Sequence, residues 1–174
     1  FTILFYVFIY TIWLKRKTPQ NIVIGGAAGA LPPVIGWTIA TNSISLEPIT
    51  FFLIIFFWTP SHFWALSLYK SDDYKKAKIP MLPLTNGIET TKINILVYSL
   101  LMLPMIILPY VIDFVGLVFL VPALLLTLYY NFLCIELYKF KKNKFNPKKA
   151  KTIFGYSILY LFLIFVIFLI DKIL

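Results

Sequence analysis

The sequence predicts an all-α fold: a polytopic membrane helical bundle of about six transmembrane helices. Three observations predict it. The 174 residues are 60% hydrophobic and 18% aromatic, with mean hydropathy +0.87, whereas soluble domains are about 45–50% apolar. The apolar residues fall into six blocks, roughly 1–14, 22–41, 49–69, 93–112, 114–134 and 153–170. All but the first approach the ~20 residues that a spanning helix requires. Finally, if every block spans, fifteen of the sixteen basic residues lie on one side of the membrane. That asymmetry is the positive-inside bias, and it places three loops in the cytoplasm or an equivalent compartment.

The first block is short and begins with Phe rather than Met. It reads as a helix cut by an N-terminal truncation, the alternative being a short interfacial helix; nothing in it resembles a cleavable signal peptide. Lys15, Arg16 and Lys17 follow it. The second block opens on "NIVIGGAAGALPPVIGW". Gly25 and Gly29 form a GxxxG pair among Gly26, Ala27, Ala28 and Ala30, a composition that lets helices approach closely in lipid. Pro32, Pro33 and Gly36 then disturb the helix halfway across, and such a kinked, small-residue helix can leave room for a ligand. There is no preceding strand and no GxGxxG, so this is not a dinucleotide fingerprint.

The third block runs into "FFWTPSHFWALSLYKSDDYKKAKIPMLP". Pro60 is expected to bend the helix near its middle. His62, the only histidine, follows within one turn; ionisable groups at membrane depth are usually functional, and the other reading is a histidine hydrogen-bonded to a neighbouring helix. Trp58 lies deep for an interfacial anchor. If the helix continued to Asp73, then His62, Leu66, Tyr69 and Asp73 would share one face, with acids at the mouth and imidazole about 16 Å below. Asp72 and Asp73 sit among Lys70, Lys75, Lys76 and Lys78. They read either as a solvated loop or as carboxylates that hold Mg²⁺, which bridges to phosphate oxygens.

The fourth, fifth and sixth blocks carry no such chemistry. Lys92 falls between the third and fourth, and seven lysines from Lys139 to Lys151 lie between the fifth and sixth; Lys172 sits alone at the far end. The basic loops can touch anionic headgroups, and no stacking or groove-reading pattern points to nucleic acid. The single cysteine, Cys134, excludes an intrachain disulfide and reads as a packing residue.

The stretches "YTIWLKRKTPQNIVIGGAAGALPPVIGW" and "WTPSHFWALSLYKSDDYKKAKIPMLP" resemble the heme-farnesylating family within the UbiA superfamily of intramembrane prenyltransferases. The similarity covers essentially the whole chain, although the last three helices match only in hydropathy and spacing. Two positions depart from it: Ser61 stands where the family typically has a second Pro, and Lys78 where it typically has Gly. The resemblance implies nine membrane helices around a central cavity, with residues 1–174 a single prenyltransferase domain corresponding to helices four to nine. Its first acidic motif, NxxxDxxxD, is absent from this sequence, and "KSDDY" fits the second. The implied reaction transfers the farnesyl group of farnesyl diphosphate to a vinyl group of heme B, with addition of water, to give heme O. By motif position, Asp72 and Asp73 are expected to hold Mg²⁺, and Lys15, Arg16 and Lys70 to bind diphosphate. Asn21, Gly25, Gly29, Pro33, Trp58 and Tyr69 are expected to wall the cavity. His62 becomes a candidate heme ligand, or a group that orients a water or a propionate. The implied partners are heme B, farnesyl diphosphate, the lipid bilayer and heme-pathway or oxidase-assembly proteins, in a bacterial or mitochondrial inner membrane. Two alternatives stay open: a UbiA-type enzyme with an aromatic acceptor such as 4-hydroxybenzoate, and a non-enzymatic transporter or assembly subunit.

Overall fold

The computed structural model describes residues 2–139 and 146–174. The opening block forms α1 (Thr2–Leu14), wound mostly as a π-helix. Two ten-residue helices follow, α2 (Asn21–Ala30) and α3 (Pro32–Thr41). Next come α4 (Leu46–Tyr69), two short helices α5 (Ser71–Lys76) and α6 (Leu82–Thr85), then α7 (Gly87–Val111), α8 (Leu117–Lys139) and α9 (Pro147–Ile173). Five stretches are long and apolar enough to cross a membrane: α2 with α3, then α4, α7, α8 and α9. This is an integral membrane protein. The first block, α1, is apolar but too short to count with them. Of the lysines expected in the loop before α9, Lys141, Lys142 and Lys144 lie outside the described residues.

The break expected at the paired prolines is present. Pro32 and Pro33 have no N–H to donate back into α2, so α2 stops at Ala30 and α3 restarts with Pro in its first turn. Pro60, in contrast, is carried inside an unbroken α4. Side chains bond the carbonyls around it: Thr59 Oγ1 donates to Ile55 O (2.7 Å) and Ser61 Oγ to Trp58 O (3.0 Å).

Helix α4 is the hub, packing against α2, α3, α7 and α9, while α8 closes a ring between α7 and α9. In lipid, helices associate through close packing and interhelical hydrogen bonds rather than apolar burial, and the interior shows both. Ser61 Oγ meets Tyr130 OH (2.9 Å), Thr127 Oγ1 meets Tyr160 OH (3.0 Å), and Ser99 Oγ donates to Asn131 Oδ1 (3.1 Å). Phe51 of α4 packs against Phe114, Phe119, Phe165 and Phe168. Cys134 is buried, as its sequence reading expected. The outer surfaces of α8 and α9 carry exposed Leu125, Leu128, Phe132, Leu159 and Phe162, a surface suited to lipid.

Two charged residues depart from their sequence reading. Lys92, counted there as a loop cation, lies inside α7 and is fully buried, with Nζ bonded to both carboxylate oxygens of Glu89 (3.0 and 3.1 Å). Lys172 is not solitary: its Nζ donates to Phe114 O and lies 4.5 Å from the centroid of that ring. Beside it, Asp171 accepts from the amides of Gly116 (2.9 Å) and Phe119 (3.0 Å). The C-terminal turn of α9 thus caps the start of α8, supplying the acceptor that first-turn amides lack.

Candidate active site

The face of α4 between α2 and α9 carries the site. Tyr10, Lys15, Asn21, Ile22, Phe63, Tyr74, Ile79 and Met81 wall a polar-rimmed pocket of about 190 Å³. Through Tyr10, Ile22 and Phe63 it adjoins a second cavity of about 260 Å³, lined by Gly25, Gly26, Gly29, Ile55, Trp58 and Thr59. Ile55 in turn borders a third, almost wholly apolar cavity of about 530 Å³, walled by Pro32, Pro33, Gly36, Trp37, Phe51, Phe114, Phe165 and Phe168. A polar mouth on the basic side therefore abuts aromatic and aliphatic space.

The glycines divide their work. A Cβ at Gly25 would meet the Tyr10 ring at 2.5 Å, and one at Gly26 would meet Thr59 Cγ2 at 2.9 Å, whereas Gly29 has open space. The GxxxG pair is therefore not a uniform packing face: Gly25 is packed and Gly29 opens the chamber. Of the other expected wall residues, Asn21 lies at the mouth, Trp58 in the middle cavity and Pro33 in the inner one. Tyr69 borders none of these cavities and instead meets Phe154 edge-on, 5.9 Å between centroids.

At the mouth, Asn21 is 1% exposed. Its Nδ2 donates to Lys15 O (3.0 Å), while Oδ1 is buried without a partner. A buried acceptor left unpaired is costly, so the mouth is built to receive a donor. Lys15 Nζ lies 5.9 Å from the Tyr10 centroid, and Arg16 is exposed. Tyr74 is half-buried, and its phenol is pushed above the usual range by burial and by neighbouring Tyr69 and Asp73.

The shared face expected for His62, Leu66, Tyr69 and Asp73 does not form. Helix α4 ends at Tyr69, Lys70 leaves helical geometry (φ −111°, ψ 25°), and α5 restarts at Ser71. Asp72 and Asp73 therefore sit on a separate exposed helix turn. Asp73 pairs with Lys70 at 3.2 Å, so that lysine neutralises an acid here. Among the described residues, no group of three or more His, Cys, Asp or Glu side chains comes together. Two adjacent exposed carboxylates still fit Mg²⁺, which commonly takes one or two carboxylates and completes its shell with water and substrate phosphate. The turn beyond them ends at Lys78, whose φ of +54° is left-handed; a glycine would adopt that conformation without strain.

His62 is 6% exposed and sandwiched between Trp58 (centroids 4.2 Å apart, 21°) and Phe154 (4.6 Å, 27°). Its Nδ1 lies 2.6 Å from Ser157 Oγ. The hydrogen bond to a neighbouring helix, one of the two sequence readings, is thus present. Sequence reasoning missed Ser157, Phe154, Thr59, Tyr10 and Tyr74. Only Tyr74, the residue directly after the acids, carried a local signal.

A profile of the UbiA prenyltransferase family matches residues 1–164. The chain belongs to the UbiA prenyltransferase family. Over its full length it is 95% identical to a protoheme IX farnesyltransferase of Pelagibacter ubique, covering 57% of that protein. It is 51% identical over all 174 residues to one from Parvibaculum lavamentivorans, covering 55% of it. A third, from Neorickettsia sennetsu, is 48% identical over 97% of this chain and 54% of its own. The chain thus spans about half the length of the curated relatives it matches. No solved structure matches it.

Proposed function

We propose that this chain forms part of the catalytic chamber of a heme B farnesyltransferase in a bacterial inner membrane. The observation that carries the reading is the row of adjoining cavities, from a mouth holding Lys15 and Asn21 to aromatic space beyond Ile55. A diphosphate is anionic and a farnesyl chain is apolar, so the chamber's two ends match the two ends of farnesyl diphosphate.

Asp72 and Asp73 hold Mg²⁺ in this reading, and Mg²⁺ supplies charge neutralisation for the departing diphosphate. Lys15 and Arg16 add positive charge at the same mouth, and Lys70, paired with Asp73 in the structure, would join them once Mg²⁺ takes that carboxylate. Asn21 Oδ1 accepts a hydrogen bond from a bound water or hydroxyl. The allylic C–O bond breaks and diphosphate leaves. The electron pair of the heme vinyl group forms the new C–C bond, and water adds to the resulting cation and loses a proton, leaving the hydroxyl. Trp58, Phe63 and Phe51 exclude water until that bond forms, and aromatic faces stabilise the cation. His62 lines none of the three cavities; it is stacked on the chamber-lining Trp58, and in this reading it serves the acceptor side.

The test uses a chain completed to the length of its relatives. With heme B, farnesyl diphosphate and Mg²⁺, heme O should appear by chromatography and mass spectrometry. Asp72→Asn with Asp73→Asn should abolish it. Prenylation of 4-hydroxybenzoate but not of heme B, or full activity of the double variant, would overturn the proposal.

A further inference from the structure

We infer that Ser157 is a positioning residue that fixes the tautomer of His62 and leaves its Nε2 as a bare lone pair. The inference deepens the proposed function and rests on it only for what Nε2 contacts.

The argument begins with one proton. Ser157 Oγ lies 2.6 Å from Phe154 O. A carbonyl only accepts, so the hydroxyl proton is committed there. The same Oγ lies 2.6 Å from His62 Nδ1. That contact also needs a proton, and the hydroxyl has no second one to give. With the hydroxyl proton on Phe154 O, Nδ1 carries the second proton and Ser157 Oγ accepts. In the neutral ring, Nε2 then has no proton. Nε2 has no hydrogen-bond partner among the described residues. A solvated histidine side chain favours the Nε2-protonated tautomer, so α9 reverses the ring's own preference.

The ring is also held in orientation. Trp58 and Phe154 clamp its two faces, and Trp58 Nε1 donates to Ser157 O (2.9 Å). One residue of α9 therefore fastens two rings of α4 one turn apart, the indole through its backbone and the imidazole through its side chain. Removing the hydroxyl releases only the second. A lone pair held this way suits ligation of a heme iron or acceptance of a proton from a water. Partners of ligating histidines typically alter affinity about 10–100-fold when removed.

The experiment uses ¹⁵N-histidine-labelled protein completed to the length of its relatives, in detergent, with the His62 signals assigned by their loss in His62→Gln. Wild type should show the Nδ1-protonated pattern. Ser157→Ala should shift it toward the Nε2-protonated form, and Ser157→Thr should restore it. An Nε2-protonated wild type, or a pattern unchanged in Ser157→Ala, would overturn the role of Ser157. Heme B titrated in parallel and followed by its Soret band should bind about 10–100-fold more weakly to Ser157→Ala, with recovery in Ser157→Thr. If His62→Gln bound heme B with the wild-type spectrum and affinity, the placement of Nε2 against the acceptor would fall, together with that part of the proposed function. The tautomer measurement would still decide the role of Ser157.

Discussion

Alanine at Gly26 and alanine at Gly29 should have opposite effects on stability, although both sit on the same ten-residue helix. A methyl group at Gly26 would come within 2.9 Å of Thr59 Cγ2 and 3.2 Å of its Cβ. Carbon atoms pack best at about 3.5–4.0 Å, so something must give by half an ångström or more. Thr59 is poorly placed to give, because it is buried and its Oγ1 is bonded to Ile55 O beside Pro60. Overpacking of this kind costs about 1–3 kcal/mol. At Gly29 nothing lies within 4 Å, and Gly→Ala in a helix gains about 1 kcal/mol. The helix-propensity gain is common to both, so the difference between the two variants isolates the clash at about 1–3 kcal/mol, roughly a factor of 5 to 150 in the folded-to-unfolded ratio. Thermal or denaturant unfolding of the detergent-solubilised variants, followed by circular dichroism, measures it. Equal midpoints would refute the idea that Thr59 seals α2 to α4 while Gly29 borders empty space.

Other outcomes follow from the same structure. Cysteine labels at Ser71 and Ser45 should react from opposite sides of the membrane; reaction of both from one side would remove an odd number of spans between them. Asp171→Ala should lose about 1–2 kcal/mol, the usual cost of a missing helix cap, visible as a lower unfolding midpoint and faster amide exchange at Gly116 and Phe119. Lys78→Gly should raise the midpoint, because a non-glycine residue in left-handed geometry costs about 1–2 kcal/mol; an unchanged or lower midpoint would show that the lysine side chain compensates. Gly29→Leu, unlike Gly29→Ala, should fill the middle cavity and lower farnesyl diphosphate binding at least tenfold while the protein still folds.

What the sequence revealed was set by local chemistry. The spans were readable because a backbone in lipid must satisfy its own hydrogen bonds, which forces long apolar runs such as Leu46–Tyr69. The break at Leu31 was readable because proline removes a donor wherever it stands. The end of α4 was not, because "SLYKSDDYKK" contains no Gly or Pro to stop a helix, and a face shared by His62 and Asp73 was a fair expectation. Lys92 was misplaced because charge alone marks a loop, whereas its burial depends on α7 reaching back to Gly87 and on Glu89 one turn earlier. Ser157 was invisible for a different reason. It lies 95 residues from His62 inside an apolar block, and only the packing of α4 on α9 brings it near.

The cap on α8 also bears on how the protein enters its membrane. Asp171 is 55 residues downstream of Gly116, so α8 is synthesised well before the carboxylate that will satisfy its first amides. Until then, water or lipid headgroups must hold those amides at the membrane surface. When α9 inserts, its far end must carry both Asp171 and Lys172 through the bilayer. The two charges cancel, so that end of the segment carries no net charge and Lys172 travels with its own counter-charge. Once across, both are consumed locally, Asp171 on α8 and Lys172 on Phe114. The last hairpin therefore cannot slip back without breaking its own clasp.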